Sequence, residues 1–265
     1  MGSIIRWLAA AAVVGLASCA GLSGPVGPET KAALAPSGKL RVAFISPAFV
    51  YSVKDPVTGE LKGIGPDLGK DLAQRLGTPV ELVTFSNPPT MVAAGKDGKW
   101  DVVMMGVSPE RAAVIDFSTP FVEAETGYLV RAGVPIATMA EVDRPGVRIG
   151  VFEKSGADNE LTKIIKNATL VRVASISELF TMLASGRADV LAAAKTGLYA
   201  ELSKNPGSRV LEGRFLVEPI AMGVPKGRDP SAVAFLNRYV EQAKADGRIQ
   251  AAIERAGLQG VVVPR

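Results

Sequence analysis

Residues Gly98 to Phe121 read GKWDVVMMGVSPERAAVIDFSTPF. An aspartate opens an apolar run, Val102 to Met105, which reads as a buried strand. One arginine, Arg111, then stands among residues that otherwise suit a core. The first part of this stretch returns about ninety residues later as GRADVLAAA, Gly186 to Ala194. Asp101 and Asp189 hold equivalent places in the two units and read as turn or cap residues at strand starts. A repeated unit of this kind points to two similar halves.

Working outward, strands and helices alternate. LRVAFI (40–45) and PVELVTF (79–85) are β-rich runs, and between them GPDLGKDLAQRLG (65–77) places Leu68, Leu72 and Leu76 on one helical face before stopping at Gly77. TMVAAGKDGKW (90–100) reads as a short helix leading into the buried strand. The cadence repeats in VRIGVF, GADNELTKIIKN, TLVRV, SISELFTMLASG and ADVLAAA, between 147 and 194. Ser175 and Glu178 have capping-box spacing there. A final helical stretch opens with Asp229 as N-cap and Pro230 at the first helical position. If it packs on the first half, the chain crosses between lobes twice, near Phe121–Glu125 and near Pro219–Pro225. Two crossovers make a hinge, and a hinge makes a cleft.

The chain has 265 residues, 48% hydrophobic and 21% charged, and a formal charge of +4. Such a chain buries one large core or two modest ones. Its cations are scattered among acids with no basic cluster interleaved with aromatics, so no nucleic-acid partner is expected. Histidine is absent, which removes the usual general base and the commonest metal ligand. No metal, cofactor or catalytic residue is expected.

The single cysteine, Cys19, follows MGSIIR and the apolar run WLAAAAVVG. That run is too short to span a bilayer as a mature helix and reads as a secretory signal. LASC, Leu16 to Cys19, resembles the bacterial lipobox, in which the cysteine is diacylated and becomes the mature N-terminus. The alternative is an ordinary signal peptide with an incidental cysteine. AGLSGPVGPETKAALAPSG (20–38) is rich in Gly, Pro, Ala and Ser and reads as a flexible tether.

From Leu40 to Leu258 the chain resembles family 3 of the extracellular solute-binding proteins, the polar amino acid receptors of ABC importers. The motifs that carry the resemblance are TGELKGIGPDLGKDLAQRLG, GKWDVVMMGVSPERAAVIDFSTPF, ASGRADVLAAA and KADGRIQAAIERAG, in that order. The resemblance implies an α/β, two-lobed periplasmic binding protein fold of type II, each lobe a sheet flanked by helices, joined by a two-strand hinge. The expected organisation is a lipoprotein signal peptide (1–18), the tether (19–38), lobe 1 (39–122 and 226–265) and lobe 2 (123–225).

The same resemblance implies ligand-binding residues. Arg111 matches the arginine that holds a ligand carboxylate, for which a planar guanidinium is suited; the alternative is a structural arginine. Ser108 either donates to the ligand or caps a helix starting at Pro109. Gly106 stands where relatives often carry Ser or Thr, leaving only backbone to contribute. Ser155, in EKSGAD, matches a hydroxyl at a helix N-terminus that binds the carboxylate from the second lobe, and Lys154 replaces the usual glycine. Phe49 and Tyr51 fall near the family's aromatic wall. Ala194 stands where relatives that bind α-amino acids carry an aspartate for the ammonium group, unless Glu153, Asp158, Glu123 or Glu125 substitutes. The expected function is the substrate-binding component of an ABC importer, a monomer without enzymatic activity. It would be anchored to a membrane on the periplasmic side or at the cell surface, and would deliver a small solute, carboxylate or amino-acid-like and anionic by preference, to a membrane permease. The alternatives are a dehydratase-like periplasmic enzyme on the same fold or a ligand-sensing domain.

Overall fold

The structure is a computed structural model that describes residues 26–55 and 57–265. The expected signal peptide and Cys19 lie outside the described residues. In chain order the elements are α1 (Pro28–Leu34), β1 (Leu40–Ile45), β2 (Val53–Lys54), β3 (Leu61–Lys62), α2 (Ile64–Leu76), β4 (Val80–Phe85), α3 (Pro88–Lys96), β5 (Val102–Gly106), α4 (Pro109–Ala112) and β6 (Ile115–Val130). They continue with β7 (Arg148–Phe152), α5 (Gly156–Ile164), β8 (Thr169–Val173), α6 (Ile176–Thr181), β9 (Val190–Ala194), α7 (Lys195–Leu202), β10 (Arg209–Val210), β11 (Leu216–Pro225), α8 (Pro230–Ala245), α9 (Arg248–Arg255) and β12 (Val261–Val262).

One mixed sheet has the main order β4-β1-β5-β11-β6-β9-β7-β8. β1 lies parallel between β4 and β5, and β7 lies parallel between β8 and β9. These are the two βαβ units read from the sequence; β5 and β9 are continuous apolar runs, while the edge strands β4 and β8 keep half-buried and exposed positions. Between them stand β11 and β6, antiparallel to each other and to the strands they border. β6 pairs with β11 from Ile115 to Thr126 and with β9 from Thr126 to Val130. The two long strands therefore pass from one half to the other, and they form the hinge of a two-lobed, type II binding protein fold.

The cores separate along the same line. One cluster gathers residues from Leu34 to Ala124 with Ile220 to Val261, around Trp100, Phe44 and Tyr239. Burying side chains of this size stabilises the fold by about 1.5–3 kcal/mol each. In the second half the clusters divide by strand alternation: Val190 and Ala192 go to one face, Leu191 to the other. Helix α2 buries Leu68, Leu72 and Leu76 and ends at Gly77, whose φ of 65° is the left-handed cap conformation.

The repeated aspartates do the same work twice. Asp101 is fully buried and accepts from the Arg41 guanidinium at 2.8 Å through each oxygen and from the Arg41 backbone N–H at 3.1 Å. Asp189 accepts from Arg148 in the same pattern, at 3.0, 2.9 and 3.1 Å. Each ties the start of a lobe's last parallel strand to the first.

Three details differ from the reading of the sequence. The stretch 19–38 was expected to be a flexible tether, but its described part carries α1, which packs on α8 with Leu34 fully buried. Spacing around Leu34 is too short for periodicity to show. The return to the first lobe comes before the expected boundary at 225, because Ile220 to Gly223 already pair with β5. The short helix α3 begins at Pro88, capped by Asn87, which accepts from Thr90 N–H.

Candidate functional site

The cleft between the halves encloses about 800 Å³ of empty space, part of it open to solvent. The enclosed part is far smaller, about 110 Å³, so the site suits a small molecule. Four pieces of the first half reach it: the loop after β1 with Phe49 and Tyr51, α3 with Pro88 and Met91, the end of β5 with Met105, and α4 with Arg111. The second half contributes the N-termini of α5 and α7, the strand end at Ala192 to Ala194, and Phe180 of α6. The lobes touch across it. The Phe49 and Phe180 rings meet edge to face at 6.3 Å between centroids, and Arg111 Nη2 donates to the Lys154 carbonyl at 3.3 Å.

Arg111 is 9% exposed and sits in the single turn of α4. Ser108 caps that turn, its hydroxyl accepting from Arg111 N–H at 3.4 Å. Of the two roles open to Ser108, capping is the one the structure displays; the side chain does not line this cavity. Arg111 Nη1 donates to the Gly106 carbonyl at 2.7 Å and lies 3.5 Å from Glu218 Oε1. The second contact is an ion pair at the edge of hydrogen-bond range. Gly106 does not line the cavity either; it acts through its carbonyl and through its missing side chain. A Cβ built on Gly106 would stand 1.9 Å from Glu218 Oε1, and one on Gly156 would stand 2.6 Å from the same atom. The carboxylate of Glu218 therefore lies between β5 of one lobe and the start of α5 of the other.

Burial pushes the Glu218 carboxyl above the usual glutamate range, with Arg111 acting in the opposite direction. Burial, and secondarily the charge of Glu218, likewise raises the Tyr51 phenol. Tyr51 is thus a neutral hydroxyl at any physiological pH.

Ser155 caps α5, accepting from Asp158 N–H at 3.2 Å, and lines the cavity. Lys154 adopts φ 58°, a left-handed conformation that suits the glycine it replaces. Ala194 lines the cavity as the residue before α7. Lys195, next to it, turns away and donates to Glu125 at 3.0 Å. Glu125 is held below its usual range, first by that bond. Asp158 accepts from Arg172 at 2.8 Å and from Lys154 N–H at 3.0 Å. Glu125 and Asp158 are thus already paired, and neither Glu123 nor Glu153 lines the cavity.

The acid that does line it, Glu218, was not among the residues read from the sequence. Nor were Thr126 and Thr196. Thr196 is 4% exposed, and its Oγ1 has no hydrogen-bond partner. Glu218 precedes Pro219 in a stretch without a motif, and its meeting with Gly106 depends on the pairing of Ile220 with Gly106 across β11 and β5. Among the described residues no cluster of three His, Cys, Asp or Glu is placed to hold a metal ion.

Two α/β lobes, a two-strand hinge and a cavity lined from both sides define a solute-binding protein of the two-lobed periplasmic type. The chain belongs to the bacterial extracellular solute-binding proteins, family 3, matching that family over residues 40–258. It is 25% identical over 247 residues to a glutamine-binding protein of an ABC transporter from Bacillus subtilis, covering 89% of this chain and 90% of that one. Among solved structures, a solute receptor for L-cysteine of Neisseria gonorrhoeae superimposes with a TM-score of 0.76 at 28% identity, covering 85% of this chain and 92% of the other. An ancestral amino acid-binding protein, a precursor of cyclohexadienyl dehydratase, gives 0.74 at 28% identity, covering 86% and 98%. The Bacillus subtilis relative and a second from Geobacillus stearothermophilus are both named as glutamine-binding proteins, not as enzymes.

Proposed function

We propose that this chain is the solute-capturing component of an ABC importer: it closes its lobes on a small organic solute in the cleft and presents it to a membrane permease. The observation that carries the reading is the cavity itself, built by side chains from both lobes and bridged by the Phe49–Phe180 and Arg111–Lys154 contacts. A solute touching both lobes favours the closed arrangement over the open one. The relatives named above are named for glutamine and L-cysteine, so amino acids belong in the screen beside uncharged solutes. The carboxylate preference expected from Arg111 meets an arginine that already has an acid beside it.

Cys19 as a lipidated N-terminus would hold the protein at the membrane, on the side where solutes arrive. Among the described residues no helix is long and apolar enough to cross a membrane. A thermal-shift screen of amino acids, amines, organic acids and neutral solutes, followed by small-angle scattering with each hit, tests the reading. A bound solute should raise the melting temperature with concentration and reduce the radius of gyration. A hit that leaves the radius unchanged, or that is chemically converted by the protein, would refute it.

A further inference from the structure

We propose that Glu218 is a built-in occupant of the anion position beside Arg111, so that the cavity selects small, largely apolar, uncharged solutes and rejects carboxylates. The proposal rests on the cleft being a solute site, as argued above.

The first ground is steric. The space around the Glu218 carboxylate is shaped for it, because both backbones that flank it lack a Cβ. At Gly106 that atom would lie 1.9 Å from Oε1, and at Gly156 it would lie 2.6 Å away. A side chain at either position would push the carboxylate out. The two glycines stand on different lobes, so the acid fills the seam that a solute's charged group would otherwise enter.

The second ground is electrostatic. Arg111 makes one bond to Gly106 O, one to Lys154 O and an ion pair with Glu218. Its charge is met from within the chain. A solute carboxylate would have to share one guanidinium with Glu218, and two carboxylates at one site disfavour each other's ionised form. A cationic solute fares no better, since Arg111 offsets the acid.

The third ground is the rest of the wall. Met91, Met105, Phe152, Leu179 and Ala193 offer no polar atom beyond the backbone. The remaining polar side chains are neutral hydroxyls, those of Tyr51, Thr126, Ser155 and Thr196, and Thr196 Oγ1 is buried without a partner. A buried hydroxyl in this state is suited to one neutral hydrogen bond with a bound molecule. An apolar body with neutral polar groups and no net charge is the complementary solute.

The test is calorimetry with matched probes that differ in charge at constant shape: phenylacetamide against phenylacetate, isovaleramide against isovalerate, and L-glutamine as the zwitterion. Wild-type protein should bind the amides at least about tenfold more tightly than the acids, the size of one charge-assisted hydrogen bond. Glu218→Gln keeps the shape but removes the acid, so the carboxylates should gain about tenfold or more. Gly106→Ala, which displaces Glu218 without deleting it, should shift the order the same way and serves if the first variant does not fold. Equal wild-type affinity for acid and amide, or no carboxylate gain in either variant, overturns the proposal. So does tight wild-type binding of L-glutamine that Glu218→Gln abolishes, which would make Glu218 the acceptor for an ammonium. Failure of every probe on all proteins also overturns it. The importer reading is judged separately, because compaction with any solute supports that reading whatever its charge.

Discussion

Gly106→Ala is the sharpest probe of the geometry, because the added atom would sit 1.9 Å from Glu218 Oε1 and 2.4 Å from its Cδ. No side-chain Cβ tolerates such an approach, so the glutamate must swing away and leave Arg111. Two costs follow. Overpacking of this kind destabilises by about 1–3 kcal/mol, and separating a partly buried ion pair adds to it. The raised pKa of Glu218, caused by burial, limits the second cost, since a carboxyl moved off Arg111 but still buried can take a proton. A net loss of about 2–3 kcal/mol is expected in wild type, equivalent to a melting point lower by roughly 4–12 °C for a chain of this size. In a Glu218→Ala background the obstacle is gone, and Gly106→Ala should cost less than about 0.5 kcal/mol, or even stabilise the strand. The double-mutant cycle from urea or guanidinium unfolding should therefore give a coupling of about 2 kcal/mol, within the range for residues in contact. A Gly106→Ala cost that is the same in both backgrounds would refute the placement of Glu218 against β5.

Three further outcomes follow from the same structure. Asp101→Ala should destabilise by about 3–5 kcal/mol, because it strands the guanidiniums of Arg41 and Arg228 against a fully buried site, while Asp189→Ala, at a more exposed site, should cost less; chemical denaturation of the two variants reads the difference. Lys154→Gly should stabilise by about 0.5–1 kcal/mol, the relief of a left-handed conformation less the added entropy of the unfolded chain. The folded protein holds the Glu218 proton more tightly than the unfolded chain does. Its stabilising contribution is therefore full below the unfolded pKa of about 4.3 and is lost as pH rises through the higher folded value. Glu218→Gln should remove that loss, visible as a flatter unfolding free energy between acid and neutral pH.

Much of the fold was legible along the chain because it depends on local periodicity. The leucines of α2, the stop at Gly77 and the caps Ser175 and Asp229 act within one or two turns, and such rules need no knowledge of distant residues. The repeat of Asp101 and Asp189 was visible as a pattern, but its purpose was not. Each aspartate serves an arginine about forty to sixty positions earlier, a partner that no local rule selects. α7, short and with Lys195 and Thr196 buried, was not read, since it carries no clear apolar stripe.

At the site the division is sharper. The sequence alone determined that Arg111 would be a lone charge at the end of a buried strand, that a crossover would carry the chain back near Pro219, and that position 194 carries no acid. It did not determine what neutralises Arg111. That was decided by the antiparallel register of β11 on β5, which brings Glu218 beside Gly106 across more than a hundred residues, and by lobe closure, which sets Gly156 on its other side. A charge's partner is chosen by distance in space, and distance in space between segments so far apart is a property of the packed sheet and not of any stretch of chain.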